Sequence, residues 1–131
     1  MSIIVGYVPT PEGAAALNRA ISEAQKNQSR LVIVNSSRGD ALVDKRYVQA
    51  EDLTAVTQRL EKEGVEHLVL QPVRGNDAAN EVLDAAEEYQ AELIVIGLRK
   101  RTPVGKLIMG STAQQILLEA SCPVLAVKAG A

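Results

Sequence analysis

The residues whose types and spacing could do chemistry lie in one stretch, Gly97 to Thr112. It ends in Gly110-Ser111-Thr112, immediately before a helical pattern. Backbone N–H groups at a helix start have no intrahelical acceptor, and with two hydroxyls and the positive end of a helix dipole they attract an anion. Arg99, Lys100, Arg101 and Lys106 add four positive charges to this stretch, in a chain whose net charge is only −2. Such segregation draws a polyanion to one loop and not to the whole surface. Gly97 heads the stretch, where a backbone turns sharply or approaches something closely. Each feature alone has an ordinary reading, as a plain N-cap or a solvated basic loop. Their coincidence beyond the carboxyl end of a buried strand points to phosphate.

Other chemistries find less support. Lys100 stands where a Walker sequence before Gly105-Lys106 needs its first glycine, and Leu107 stands where it needs Ser or Thr. No Gly-x-Gly-x-x-Gly follows the first strand. His67 is the sole histidine, and it begins a strand, at the end where sites do not form. No nucleophile, base and orienting group can therefore be assembled. Asp40 and Asp44 lie in a polar loop and read as surface, or at most as ligands of an Mg²⁺ carried by a nucleotide. Asp84, Glu87 and Glu88 form a solvated helix face. The single cysteine, Cys122, excludes an internal disulfide and fits a reducing compartment.

The elements that must position the loop are legible as alternating runs. Ile3–Val8, Leu31–Val34, Leu68–Leu70, Leu93–Ile96 and Pro123–Val127 read as strands. Thr10 and Pro11 open a helix as N-cap and first residue, with Leu17, Ala20, Ile21 and Ala24 on its inner face. Val48 to Glu63 is helical through Leu53, Val56 and Leu60, and Gly64 ends it. Asp77 caps a third helix, with Ala79, Val82, Leu83 and Ala86 inside. Ala113, Ile116, Leu117 and Ala120 mark a fourth. Most of the strands are continuous apolar runs, so both faces of a parallel sheet are covered. Right-handed crossovers then favour a doubly wound sheet, whose ligands bind beyond the carboxyl ends of its strands. The long connections fall after the second strand, Ser36 to Tyr47, and after the fourth.

The chain has 131 residues, of which 47% are hydrophobic and 23% charged, the composition of one globular domain spanning 1–131. With no Phe or Trp, the core must be aliphatic, and base-stacking platforms for nucleic acid are missing. No apolar run is long enough to cross a membrane. The opening Met1-Ser2-Ile3 carries no basic leader, so the expected location is cytoplasmic.

At the Gly97–Thr112 loop the chain resembles the universal stress protein family. The family's signature is Gly, two residues, Gly, nine residues, Gly, then Ser or Thr, and here Gly97, Gly110 and Ser111 match it. The resemblance extends to Ile3–Leu17, Gly75–Ala86 and Ser121–Val127, essentially the whole chain. It implies an α/β fold with a five-stranded parallel sheet, order 3-2-1-4-5, flanked by four helices. It also implies a homodimer paired through the last strand, and a stress-response role through binding ATP, AMP or another adenine nucleotide, with Mg²⁺ only as the nucleotide's counter-ion. No dedicated catalytic reaction is implied. By resemblance, Gly97, Gly110, Ser111 and Thr112 hold phosphates beside Arg99 and Lys100, and backbone near Pro9 and Ser36 holds the base. Two positions depart from the pattern. Lys100 replaces the second glycine, at a conformational cost of about 1–2 kcal/mol. Val8 replaces an Asp that contacts the nucleoside, a loss of roughly 1.5–3 kcal/mol. Two alternatives follow: a nucleotide-free dimeric interaction protein of the same fold, and a weak ATPase.

Overall fold

Aliphatic runs set between caps and turns become strands buried on both sides. The computed structural model describes residues 1–35, 50–71, 77–98 and 110–129. In chain order these residues form β1 (Ser2–Gly6), α1 (Pro11–Asn27), β2 (Arg30–Val34), α2 (Ala50–Lys62), β3 (His67–Leu70), α3 (Ala78–Glu88), β4 (Ala91–Leu98), α4 (Ser111–Glu119) and β5 (Val124–Lys128). The strands pair in parallel in the order β3-β2-β1-β4-β5, the doubly wound order expected. The chain moves outward from β1 to β3, then crosses back to β4 on the other side of β1. Strand order therefore reverses between β1 and β4, and a crevice is expected beyond their carboxyl ends.

Successive strand residues face opposite layers. Ile3, Val5, Leu31, Ile33 and Val95 pack with Leu17, Ala20 and Ile21 of α1 and Leu60 of α2. Ile4, Val32, Val34, Ile94 and Ile96 pack with Ala79, Val82 and Ala85 of α3 and Ile116 of α4. Burying each of these Ile, Leu and Val side chains is worth about 1.5–3 kcal/mol, enough in sum for an aliphatic core to hold the sheet.

The helix boundaries follow local chemistry. Thr10 Oγ1 accepts the Gly13 N–H at 3.1 Å, with Pro11 as the first helical residue. Asp77 accepts the Asn80 N–H at 2.8 Å to start α3. Gly64, just past α2, takes a left-handed φ of 72°. Gln28 ends α1 at φ 54°, and Gln90 follows α3 at φ 52°, left-handed positions without glycine.

Three expectations are corrected. β1 stops at Gly6 and not Val8: the Tyr7 N–H still donates to the Val34 carbonyl at 2.9 Å, but the Tyr7 carbonyl is taken by the Asn35 side chain at 2.7 Å. β4 runs past Ile96 to Leu98, because Gly97 and Leu98 pair with Val127 and Lys128. Leu117 does not face inward. It is 38% exposed and its neighbour Leu118 82%, because α4 packs along a narrow stripe of Ala113, Ile116 and Ala120. Among the described residues no helix is long and apolar enough to cross a membrane.

Candidate functional site

A cavity of about 370 Å³ opens at the carboxyl ends of β1 and β4, where strand order reverses. Its size is within the range of small-ligand pockets, roughly 300–1,000 Å³. Six elements, β1, α1, β2, α3, β4 and α4, supply its walls. Gly6 to Val8 and Thr10 come from the end of β1 and the turn after it, and Glu12 and Gly13 from the first turn of α1. Ala78 and Val82 come from α3, and Gly110 to Ala113 from the start of α4. Val34, Ile96 and Ile116 make its interior apolar.

The start of α4 differs from those of α1 and α3. Gly110 is its N-cap and has no side chain to accept a bond. The first backbone bond of the helix runs from Gln114 N–H to the Gly110 carbonyl at 3.0 Å. The N–H groups of Ser111, Thr112 and Ala113, residues that line the cavity, have no acceptor among the described residues. Unsatisfied N–H groups at the positive end of a helix dipole make this wall electropositive. Glu12 lines the cavity from α1, which packs on the other face of the sheet from α4.

The glycines separate into two kinds. A methyl group at Gly97 would lie 2.7 Å from the Glu12 carbonyl carbon, and one at Gly13 would lie 2.8 Å from the Val8 carbonyl carbon. Both glycines let α1 pack backbone against backbone beside the cavity, so what approaches Gly97 closely is the first turn of α1. Gly110 is different. Its φ of −67° and ψ of 161° suit any residue, and a methyl there would meet no atom within 4 Å. No described neighbour requires glycine at 110, yet the residue borders the cavity.

Of the residues singled out in the sequence, Val8, Gly97, Gly110, Ser111 and Thr112 line this one cavity. Pro9 is exposed and forms none of its wall. Ser36, Arg99, Lys100, Arg101, Lys106, Asp40 and Asp44 lie outside the described residues, although Leu98, directly before Arg99, lines the cavity. Sequence reading missed Thr10, Glu12 and Gly13 as wall residues. The strand order held the signal, since it puts the turn after β1 at the crevice.

It also missed Asn35. This residue is fully buried at the end of aliphatic β2. Its Nδ2 donates to the Tyr7 carbonyl at 2.7 Å and its Oδ1 accepts from Gln71 Nε2 at 3.1 Å. A polar residue closing an aliphatic strand was the readable sign.

Burial, and secondarily the Asp52 carboxylate, push the Tyr7 phenol above its ordinary value. Burial likewise raises the Cys122 thiol, against a smaller opposing effect of a backbone hydrogen bond. His67 Nδ1–H donates to the Val65 carbonyl at 2.9 Å, a local structural bond. Among the described residues no group of three or more His, Cys, Asp and Glu is close enough to hold a metal ion.

Comparison with known proteins bears on the whole chain. The model of the universal stress protein family matches residues 1–128. A universal stress protein of Mycolicibacterium smegmatis is 46% identical over 126 residues, which is 96% of each chain. A universal stress protein structure from Archaeoglobus fulgidus superposes with a TM-score of 0.80 at 32% identity, covering 98% of both chains. A second from that organism, in complex with dAMP, superposes with a TM-score of 0.66 at 26% identity, again over 98% of both.

Proposed function

The chain belongs to the universal stress protein family, and from that premise we propose that it is a regulatory module, not an enzyme, that binds an adenine nucleotide in the β1/β4 cleft, with ATP the first choice. The observation that carries the reading is the start of α4, which has no side-chain cap at Gly110 and whose Ser111, Thr112 and Ala113 line the cavity. These N–H groups and the two hydroxyls would hold phosphoryl oxygens. Gly110 borders open space beside them, since a methyl there would meet no atom within 4 Å. Arg99 and Lys100 follow Leu98 in sequence and would add charge, with Mg²⁺ entering only as the counter-ion of ATP. The apolar interior formed by Val8, Val34, Val82 and Ile96 suits the nucleoside, and backbone near Pro9 and Ser36 would meet the base. The dAMP complex of the Archaeoglobus fulgidus relative supports this ligand class. The proposal places the protein in the cytoplasm, where free Cys122 stays reduced.

Mass spectrometry of small molecules released by denaturing freshly purified protein tests the reading directly. An adenine nucleotide is the expected result. Thermal unfolding with ATP, ADP, AMP or cyclic AMP at millimolar concentration should raise Tm, since a ligand at a hundred times its Kd adds about 2.7 kcal/mol. The Ser111→Ala, Thr112→Ala double variant should lose most of that rise. No released nucleotide and no shift with any of the four would overturn the proposal.

Val8 favours a second reading. It lines the cavity with a side chain that offers no acceptor to a nucleoside hydroxyl or amine, which suits a nucleotide-free protein acting through contacts with other chains. We propose a homodimer in either case. β5 ends the sheet, and its aliphatic residues from Val124 to Val127 are only half-buried. An aliphatic edge of this kind is covered by pairing with a second copy. Light scattering at tens of micromolar should give twice the monomer mass, and a monomer contradicts it.

A further inference from the structure

We propose that Asn35 is the positioning residue of the cleft. By holding the Tyr7 carbonyl, its side-chain amide fixes the turn between β1 and α1 that forms one wall of the cavity. The effect on ligand affinity rests on the nucleotide reading above; the effect on the turn does not.

The argument begins with cost. Asn35 is 0% exposed, and a buried amide is destabilising unless its donors and acceptor are matched. An aliphatic residue there would simply continue the run Leu31-Val32-Ile33-Val34. The amide is instead engaged on both sides. A carbonyl oxygen can only accept, so the 2.7 Å contact with Tyr7 fixes Nδ2 toward β1. Oδ1 then faces Gln71 Nε2 at 3.1 Å, beyond the end of β3. The Asn35 backbone N–H donates to the Leu70 carbonyl at 2.9 Å. One residue thus ties the carboxyl ends of β1, β2 and β3 together at the level of the cleft.

What it holds matters more than that it holds. At Tyr7 the strand ladder ends and the chain leaves the sheet. The Thr10 N–H bonds back to the Val8 carbonyl at 2.8 Å, and Thr10 then caps α1 through Gly13. Tyr7, Val8, Thr10 and Gly13 all line the cavity. From α1 this turn is held by Gly13, whose missing side chain admits the Val8 carbonyl. From the sheet it is held at Tyr7, whose N–H donates to the Val34 carbonyl and whose carbonyl accepts from Asn35. Loss of the amide removes the bond nearer the turn and leaves only the Tyr7 N–H on that side.

The test separates positioning from ordinary strand stitching. Asn35→Leu and Asn35→Ser are compared with Val65→Ala, a core change at the opposite end of the sheet, next to β3. Two readouts are taken on the full chain: amide hydrogen exchange at Thr10 and Gly13 relative to Ser29, and the Kd for AMP by calorimetry. Ser29 is the reference because its N–H bonds to Ala24 at the far end of α1. Both Asn35 variants should speed exchange at Thr10 and Gly13 about tenfold relative to Ser29, and weaken AMP about tenfold, the size of one lost hydrogen bond. Val65→Ala should lower Tm without either effect. Exchange at Thr10 and Gly13 that rises no more than at Ser29 overturns the proposal, as does an affinity loss no larger than that of Val65→Ala. If Asn35→Leu fails to fold, Asn35→Ser decides. If the wild-type chain binds no AMP, the nucleotide reading falls, and exchange alone decides whether Asn35 holds the turn.

Discussion

Replacing Gly97 with alanine should destabilise the protein, and the structure sets the size of the effect. The new methyl would lie 2.7 Å from the Glu12 carbonyl carbon and 3.1 Å from Glu12 Cβ. The obstacle is backbone, so no side-chain rotation relieves it. Either the first turn of α1 lifts from β4, or β4 shifts away from β1. Inserting a carbon into well-packed structure typically costs about 1–3 kcal/mol, and the entropy gained by removing a strand glycine returns about 0.5–1 kcal/mol of that. A net loss of about 1–2 kcal/mol should lower Tm by roughly 3–10 °C in a domain of this size. Gly110→Ala is the matched control. Its dihedrals suit alanine and its methyl meets no atom within 4 Å. Its Tm should therefore stay within about 2 °C of wild type, since the loss of a glycine N-cap and the stiffer unfolded chain are small and opposed. Scanning calorimetry on the three proteins decides the matter. Gly97→Ala melting with wild type, or Gly110→Ala melting as low as Gly97→Ala, would refute the assignment of one glycine to packing and the other to the cavity.

Two further outcomes follow from local features. The raised phenol of Tyr7 gives stability that is fully present below its ordinary pKa of 10.0 and is lost as pH rises through and above that value, because the unfolded chain releases its proton first. Tyr7→Phe should therefore lose less stability than wild type between about pH 9 and pH 11 in urea denaturation, and parallel pH profiles would count against it. Gln28→Gly should stabilise by about 0.5–1 kcal/mol in the same assay, because glycine adopts the left-handed cap of α1 without steric penalty. A loss of stability there would contradict that cap's geometry.

The sequence was most legible where one residue type has one local use. Thr10-Pro11, Asp77 and Gly64 mark helix ends by capping chemistry, and each lies at the boundary it signals. Continuous apolar runs were enough to establish a parallel sheet, because alternation disappears when both faces are covered. Legibility failed where tertiary partners decide. Gly97 suggested a loop but pairs with Val127 on β5, a contact thirty residues distant. Leu117 has the right helical spacing for burial, yet α4 lies on α3 and β4 through a stripe too narrow to include it. The cavity required strand order as well as motifs. The Gly110-Ser111-Thr112 wall is local and readable, whereas Thr10, Glu12 and Gly13 join it only because β1 and β4 are neighbours. Asn35 belongs to the same class, since nothing local identifies Tyr7 as its acceptor.

The division of the strand residues between two helical layers limits how the chain can change over time. Ile3 and Ile4 are joined by a peptide bond but pack in different clusters. Volume lost beneath α1 can be regained only from that side, for example at Ala20 or Ala24, and not by enlarging Ala79 or Ala85 across the sheet. Compensating substitutions should therefore accumulate in two independent sets, interleaved in the sequence at every second strand position, with the strand backbone as their only common material.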